Sequence, residues 1–506
     1  FTSSVPDLGA RGRFNPFIFK GTVFSAGGYS ALYGQALSSA VILETIDLPE
    51  RSSANVNLST VGVGASVQNL SKSKKSSWGL GYNYVNLGAY FKIIRQNINY
   101  KKAPEAHQID LNYRKKMGKN GMLKFYGYAN FFQLNIQREN ITSKDANIQS
   151  LIYNDEYGIK NKNLYGNLSF KNYYAKDWKL QLGLSASYNH DDISTKVLTQ
   201  QNELVTDSLF VQQNWVGIDY KNTLITGKVV IEKSLKNLNA IRFGAEHIYG
   251  HDDNLVFPGA FKDSFYYSKQ NLTENFTAGF IESDIYITNE IAGKIGLRAE
   301  YSQVLQKVNL APRLSAAYKI NKGGQFSFAY GQFFQKPELP YLMQQTRLNF
   351  MKSTHYILNY QYQPKDRLLR IELYHKNYKS LVKLNSSNGI NNNGNGYAQG
   401  IELFYRDKKT IKGIDFWISY SYIDTKRDFL NYLRLTQPDF IASHVGSFVF
   451  KKFWTKYMFG INGTYTLTSG RPYLNYNTSN PNEPNADANL FMKDKTINYN
   501  NFSISA

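Results

Sequence analysis

"KLQLGLSASY" at residues 179–188 alternates between two kinds of side chain along its whole length. The apolar set is Leu180, Leu182, Leu184, Ala186 and Tyr188, and the small or polar set between them is Gln181, Gly183, Ser185 and Ser187. Residues two apart lie on the same face of a β-strand. The stretch therefore predicts a strand with one apolar and one polar face.

The same alternation recurs from about Ser53 onward, for example in "QFSFAYG" (325–331) and "GIDFWISYSY" (413–422). Aromatic residues reach 15% of the 506-residue chain, which suits pleated sheets. A soluble sandwich would also alternate with period two, so no single strand decides between a sandwich and a membrane barrel.

The connections between strands are more informative. Short turns are predicted at Lys72–Lys75, Gly118–Gly121, Ala175–Asp177, Lys236–Asn239, Thr288–Glu290, Asn321–Gly324, Pro364–Asp366, Lys408–Gly413 and Lys451–Lys456. Longer polar stretches between them include Gln137–Asn163, His251–Asn271, Ser380–Gly396 and Arg471–Lys495. This rhythm is typical of a barrel with tight turns on one rim, expected to be periplasmic, and long loops on the other. Even spacing would favour a sandwich.

The turns define nine hairpins from Asn55 to about Thr468, and a nineteenth strand begins at Ile497. An open sheet edge is very costly in lipid. We therefore expect that the barrel does not close within this sequence and that further strands complete it.

Composition excludes several function classes. The chain has no Cys, which rules out disulfides and thiolate chemistry. Its net charge of +21 comes mostly from lysines in short turns, which argues against nucleic acid as a partner. "NHDD" (189–192) and "GHDD" (250–253) are interpreted as acidic loop starts rather than metal sites, and no catalytic motif is present. We therefore expect no enzyme activity, no metal and no cofactor.

The segment "RGRFNPFIFKGTVFSAGGYSALYGQALSSAVILETIDLP", Arg11 to Pro49, resembles the end of the plug domain of TonB-dependent outer-membrane transporters. Five later stretches resemble barrel-strand patterns of the same family. They are "GKIGLRAEYS" (293–302), "APRLSAAY" (311–318), "FSFAYGQFFQKPEL" (326–339), "GYAQGIELFYR" (396–406) and "TSGRPY" (468–473). Small residues such as Gly27, Gly28 and Gly34 allow a plug backbone to pass close to a barrel wall.

The resemblance implies an all-β fold, namely a large antiparallel transmembrane β-barrel of 22 strands with a partial plug inside. Residues 1–48 are then the C-terminal part of the plug, and 49–506 are the barrel without its C-terminal strands. The front of the plug and the family's TonB-contacting segment are not in this sequence. Leu32 stands before Tyr-Gly where the family often has a charged residue.

The resemblance also suggests site residues. Plug-surface ligand contacts are expected at Arg11, Arg13, Tyr29 and Tyr33. The lumen-facing residues are expected to be Arg298, Glu300, Arg313, Glu402 and Arg406, which lie on polar strand faces.

Three functions remain open on this evidence: an importer of a siderophore, haem, cobalamin, glycan or peptide, a plugged barrel within a surface assembly, and a passive pore. A plug argues against the pore. The expected location is the outer membrane of a Gram-negative bacterium. The expected partners are the TonB complex, outer-membrane lipid and lipopolysaccharide, the nutrient ligand and a surface lipoprotein.

Overall fold

A computed structural model of the chain describes residues 19–25, 27–94, 98–142, 152–174, 177–205, 216–258, 268–320, 323–385, 389–474 and 491–505. The described residues form mostly antiparallel strands with two short α-helices, α1 (Gly88–Ile93) and α2 (Leu339–Gln344). Two single 3-10 turns, Lys236–Leu238 and Thr455–Tyr457, lie between strands. No helix in these ranges is long and apolar enough to cross a membrane.

The strands are numbered in chain order. They are β1 (Phe19–Ser25), β2 (Ala40–Thr45), β3 (Ser53–Ser59), β4 (Gly62–Leu70), β5 (Ser76–Asn86), β6 (Asn99–Met117), β7 (Gly121–Thr142), β8 (Ile152–Tyr174), β9 (Trp178–Leu198), β10 (Val216–Ser234), β11 (Ala240–Pro258), β12 (Ser268–Tyr286), β13 (Ile291–Ser302), β14 (Lys307–Ile320), β15 (Gly324–Gln335), β16 (Met351–Tyr362), β17 (Arg367–Asn385), β18 (Gly389–Asp407), β19 (Ile414–Asp428), β20 (His444–Trp454), β21 (Phe459–Thr468), β22 (Pro472–Tyr473), β23 (Asp494–Lys495) and β24 (Tyr499–Ser505).

One large sheet takes in most of these strands. Strands β3 to β21 follow one another in sequence order in this sheet, and β24 pairs with β21. Strands β1 and β2 form a separate two-stranded sheet, and so do β22 and β23. The predicted all-β class and the large antiparallel sheet are therefore confirmed.

The strand count differs from the sequence-based expectation. The described residues contribute twenty strands to this sheet rather than nineteen, because β3 and β4 are separate strands joined at Thr60 and Val61. Strand β24 pairs with β21 from Asn462 with Ser505 to Thr468 with Tyr499.

Parts of the predicted long loops are strand. The stretch Ser380–Gly396 contains the end of β17 and the start of β18, which pair from Leu381 with Gly394 to Asn385 with Gly389, with one register shift between Leu381 and Lys383. Likewise, β7 reaches Thr142 and β8 starts at Ile152, well inside the predicted loop 137–163. Asn and Ser weaken strand propensity, but a continuous backbone ladder outweighs that preference here.

The two faces of the sheet differ as the alternation predicted. In β9, Leu182 and Leu184 are 42% and 54% exposed, while the residues between and beside them are half-buried. In β13, Leu297 is 43% exposed, whereas its neighbour Arg298 is fully buried. An extensive exposed apolar face on regularly alternating strands suits lipid contact.

The chain divides into two compact units. The first comprises Phe1–Thr22, Leu43–Ile231 and Ala245–Thr277, and the second comprises Val23–Ile42, Glu232–Gly244 and Ala278–Ala506. The first contains an aromatic cluster of Tyr126 and Tyr128 with Phe19 and Tyr165 against it. The second contains an apolar cluster of Tyr378, Leu381 and Ala398, against which Leu37, Met351, Ile423 and Phe429 pack.

The two His-Asp-Asp motifs are not loop starts, because both lie within strands, in β9 and β11. Asp191 is buried and accepts hydrogen bonds from Asn161 at 2.5 Å and from Asn189 at 2.7 Å. His190 Nε2 lies 3.1 Å from Oδ1 of Asp219. The described residues contain no group of three or more His, Cys, Asp or Glu arranged to hold a metal ion. These residues contribute to hydrogen bonding between neighbouring strands.

Candidate functional site

Residues 27–39, here called the inner segment, cross one face of the second unit without regular secondary structure. Gly28 has a φ of +62°, a conformation that disfavours side chains. A Cβ on Gly34 would lie 2.1 Å from Oε1 of Glu300 and 2.5 Å from Nε of Arg298. The segment therefore approaches the sheet too closely for larger residues, as the Gly-rich sequence predicted. The face of the sheet that it contacts is called the inner face.

Arg313 of β14 attaches the start of the inner segment. Its Nη1 donates a hydrogen bond to the carbonyl oxygen of Tyr29 at 3.0 Å and a second to that of Ser30. Glu282 of β12 accepts a 2.8 Å hydrogen bond from the backbone N–H of Ala31. Charged partners strengthen hydrogen bonds to a backbone that has little access to water. The segment is therefore held through its main chain.

Three further side chains attach the other end. Nε2 of His355 in β16 lies 2.8 Å from the carbonyl oxygen of Leu37. In β17, Lys376 Nζ donates to the carbonyl oxygen of Ser38 at 3.1 Å, and Tyr378 OH lies 3.0 Å from Ser38 Oγ. Because different side chains of the sheet bind the two ends of the segment, the segment has one preferred register on the inner face.

An aromatic and cationic stack surrounds Tyr29, which is 4% exposed. The Tyr29 and Phe333 ring centres lie 4.4 Å apart, and Cζ of Arg313 lies 4.8 Å and 4.6 Å from these two centres. Burial raises the pKa of Tyr29 far above its ordinary value. The phenol therefore stays neutral and donates to the carbonyl oxygen of Ala36.

Arg298 and Glu300 of β13 form a buried pair beneath Gly34, with Arg298 Nε donating to Glu300 Oε1 at 2.6 Å. Oε2 of Glu300 accepts from Nε2 of Gln35 and from Nδ2 of Asn309, both at 3.2 Å. Removing one partner of such a pair leaves a buried charge without its counter-charge, which is strongly destabilising.

The other predicted site residues have different positions. Arg11 and Arg13 lie outside the described residues. Tyr33 is half-buried in the inner segment, and its N–H donates to Ser30 O at 3.1 Å.

Glu402 and Arg406 lie on β18, where no described contact joins them to the inner segment. Glu402 is directly opposite Glu372 in the β17–β18 register. Arg406 binds Asp415 through two hydrogen bonds of 2.9 Å and 2.6 Å. It also lines a basic cavity of about 550 Å³ at the short-turn end of β14 to β18.

Sequence reasoning missed Glu282, His355, Lys376 and Tyr378, all of which contact the inner segment. The alternation of polar and apolar residues along each strand, which identified Arg298, could also have identified these four residues. His355, for instance, stands beside the exposed Tyr356 in "STHYILNY", so alternation places it on the inner face.

A second cavity of about 380 Å³ lies between the inner segment and the sheet. It is lined by residues 35–39, by Glu338 and Tyr341 around the start of α2, and by residues at the ends of β15, β16, β17 and β19. It lies on the long-connection side of these strands, where β15 leads into α2 and β19 leads into residues 429–443.

Comparisons with known proteins match this fold. The family model "TonB dependent receptor-like, beta-barrel" covers residues 108–506. The alcaligin outer-membrane receptor FauA from Bordetella pertussis is 11% identical with a TM-score of 0.64, over 90% of this chain and 75% of that one.

The siderophore receptor PirA from Acinetobacter baumannii is 13% identical with a TM-score of 0.65, over 96% of this chain and 78% of that one. The FrpB iron transporter from Neisseria meningitidis is 14% identical with a TM-score of 0.66, over 90% of this chain and 76% of that one. The search of curated proteins found no significant match.

The solved structures are similar in fold, and the family model covers more than half of the chain. Its members are transporters rather than enzymes, and they reside in the outer membrane of Gram-negative bacteria. On this match, the chain belongs to the TonB-dependent receptor-like β-barrel family.

Proposed function

We propose that this chain is the barrel and terminal plug portion of an outer-membrane importer for a scarce nutrient, in which the inner segment closes the passage until transport. The observation that supports the proposal most strongly is the attachment of the inner segment. Side chains of β12, β13, β14, β16 and β17 all contact it, through Glu282, Glu300, Arg313, His355, Lys376 and Tyr378. A passive pore has no need for such an occlusion.

The hydrogen bonds that attach the inner segment to the sheet allow the segment to be released. Four of its described hydrogen bonds are to backbone carbonyls, donated by Arg313, His355 and Lys376. Water can replace each such bond once the segment starts to move, so each contributes only about 1–3 kcal/mol. Together they hold the closed state firmly, and opening then requires work. An energised partner such as the TonB complex would supply that work.

Cargo would bind from the long-connection side, where the 380 Å³ cavity is lined by the inner segment. A ligand that binds a displaced arrangement of the plug more tightly than the closed arrangement shifts the equilibrium between the two. The size of the shift is set by the difference between the two affinities. The candidate cargoes are a siderophore, haem, cobalamin, a glycan or a peptide. The similarity to siderophore and iron receptors puts ferric chelates first for testing. The net charge of +21 favours anionic cargo.

A second candidate function is a permanently plugged barrel in a surface assembly, which a surface lipoprotein would join. The buried Arg298–Glu300 pair beneath Gly34 favours it, because a buried charged pair is costly to expose and re-form. Transport alone separates the two proposals, since both require a closed barrel at rest.

The test is uptake by cells that carry the full-length protein, measured with labelled members of each cargo class, with and without a protonophore. The importer predicts uptake of one class that stops when the proton gradient collapses. Uptake that persists without the gradient would indicate a pore. No uptake of any class would favour the assembly component.

A further inference from the structure

The polar groups on the floor of the 380 Å³ cavity mostly satisfy one another. Gln35 donates to Glu300 at 3.2 Å and accepts from the backbone N–H of Lys336 at 3.1 Å. Ser38 Oγ and Tyr378 OH are 3.0 Å apart. A ligand therefore gains little by hydrogen bonding to these atoms, since it would have to break an existing bond. The remaining groups of the cavity determine which ligand it takes.

Arg427, at the end of β19, is the only cation among the described residues that line this cavity. Its Cζ lies 4.7 Å from the centre of the Tyr378 ring and 5.7 Å from those of Phe429 and Phe440. Its Nε is buried and has no hydrogen-bond partner within the described ranges. Aromatic rings stabilise a guanidinium but do not neutralise its charge.

The carboxylates near Arg427 in sequence have other partners. Asp428 forms a salt bridge with Lys383, and Asp424 accepts hydrogen bonds from Tyr397 and Gln399. No carboxylate in the described part of the chain forms a salt bridge with Arg427. A partly buried cation without a counter-charge is stabilised when an anion reaches it.

The rest of the lining defines the body of the ligand. Apolar side chains form much of the wall, namely Leu37, Met351, Leu381, Val382, Phe429 and Leu430. Within the part of the lining that the structure describes, Glu338 is the only acid and is exposed, so it disfavours a second anionic group on the ligand. A volume of about 380 Å³ lies within the range of small-molecule sites, about 300–1,000 Å³.

We infer that this cavity binds a small ligand, or part of a larger one, that joins one anionic group such as a carboxylate to an apolar or aromatic body. The anion contacts Arg427, and the body packs between the inner segment and the apolar wall. This inference rests on the proposed function in that the ligand would be the cargo or a piece of it. Because residues 35–39 line the cavity, the ligand contacts the segment that must move.

The test uses the absence of cysteine from the chain. Ser39→Cys places one thiol in the cavity lining, and its rate of modification by uncharged methyl methanethiosulfonate is measured on the purified protein in detergent. Benzoate is the anionic probe, and benzamide has nearly the same shape without the charge. If benzoate binds with a dissociation constant of several millimolar, about 10 mM slows the reaction roughly threefold. Benzamide is expected to have little effect.

Matched variants in the Ser39→Cys background assign the effect to Arg427. Protection by benzoate should be lost in Arg427→Gln, partly kept in Arg427→Lys and unchanged in Arg347→Gln. Arg347 is exposed and lies on the connection between β15 and β16, which also carries α2. It does not line the cavity. Heat-modifiable migration in gels shows that each variant is folded.

Equal protection by benzamide, protection that survives Arg427→Gln, or no protection of the wild-type cavity would each overturn the inference. The outcome of the uptake assay does not depend on the outcome of this protection assay. Protection without any transport would leave an anion site in a barrel that does not transport. Transport without protection would leave an importer whose cargo binds elsewhere.

Discussion

Arg313 contacts Tyr29 in two ways at once: its Nη1 donates a hydrogen bond to the Tyr29 carbonyl oxygen at 3.0 Å, and its Cζ lies 4.8 Å from the centre of the Tyr29 ring. One side chain of the sheet thus fixes both the backbone and the ring of the inner segment. Phe333 on the neighbouring strand completes the stack, with its ring centre 4.6 Å from the same Cζ.

Replacement of Arg313 should therefore loosen the inner segment. Arg313→Ala leaves two carbonyls without a charged donor, at a cost of about 1.5–3 kcal/mol, so amide exchange in residues 27–39 should accelerate about 10- to 100-fold. Hydrogen–deuterium exchange measures this rate. Arg370→Ala is the control, because Arg370 has no described contact with the segment. Equal exchange in both variants would contradict the attachment.

Gly34 should tolerate no side chain. A methyl group there would lie 2.1 Å from a Glu300 oxygen, and neither Glu300 nor Arg298 has free space in which to move. Gly34→Ala should lower the thermal unfolding midpoint, since overpacking of this kind costs about 1–3 kcal/mol. Gly21→Ala is the matched control, because nothing lies within 4 Å of the added Cβ. Two equal midpoints would show that the segment is not packed as described.

The stretch after β2 should detach at low pH. Lys124 Nζ lies 2.7 Å from Asp47 Oδ1 and donates to the Thr45 carbonyl oxygen at 2.9 Å. Burial raises the pKa of Asp47, but the hydrogen bond and charge of Lys124 outweigh it, so the pKa is lowered overall. The interaction is therefore complete above the ordinary carboxyl pKa of about 4 and is lost as pH falls through the lower folded value.

A spin label at Leu43→Cys can follow this detachment. Its mobility should rise below about pH 4 in the protein that retains Asp47, and in Asp47→Asn it should be high already at neutral pH. Glu50→Gln should behave like the parent, since no described salt bridge involves Glu50. Identical pH curves for the parent and Asp47→Asn would contradict the role of this ion pair.

The long-connection side should face the outside of the cell. Asn393 is exposed near the start of β18, on the long-connection side. Lys412 is exposed in the short turn between β18 and β19. A membrane-impermeant maleimide added to intact cells should label Asn393→Cys and leave Lys412→Cys unmodified. After the cells are lysed, both should react. The opposite pattern on intact cells would reverse the orientation.

The sequence predicted what depends on local signals. Turns rich in Lys, Gly and Asn mark hairpins by themselves, and alternation placed Arg298, Glu300 and Arg313 on the face that meets the inner segment. The extra strand β3 was missed because Thr60 and Val61 form a tight turn without a Gly, Pro or Asn at either position. The strand extensions were missed because ladder pairing between distant stretches outweighs the low propensity of Asn and Ser.

The cavity could not have been predicted in the same way. Its lining joins residues 35–39 to Arg427, almost 400 positions away, and no local pattern marks such a meeting. Alternation could place Arg427 on a face. Only the folded chain shows that three aromatic rings surround it and that its Nε lacks a partner.

We propose that the inner segment must leave the sheet for transport. A Cβ built on Gly296 lies 3.0 Å from Cβ of Ala31, so the two positions face each other, and a disulfide can form once they separate to the usual Cβ–Cβ distance of about 3.5–4.5 Å. Because the chain lacks cysteine, Ala31→Cys with Gly296→Cys forms a single reversible tether. Uptake of the cargo identified in the protonophore assay is then measured in cells with this pair oxidised or reduced. The prediction is that uptake stops when the tether forms, returns on reduction, and continues in each single variant. Undiminished uptake through the oxidised pair would contradict the claim.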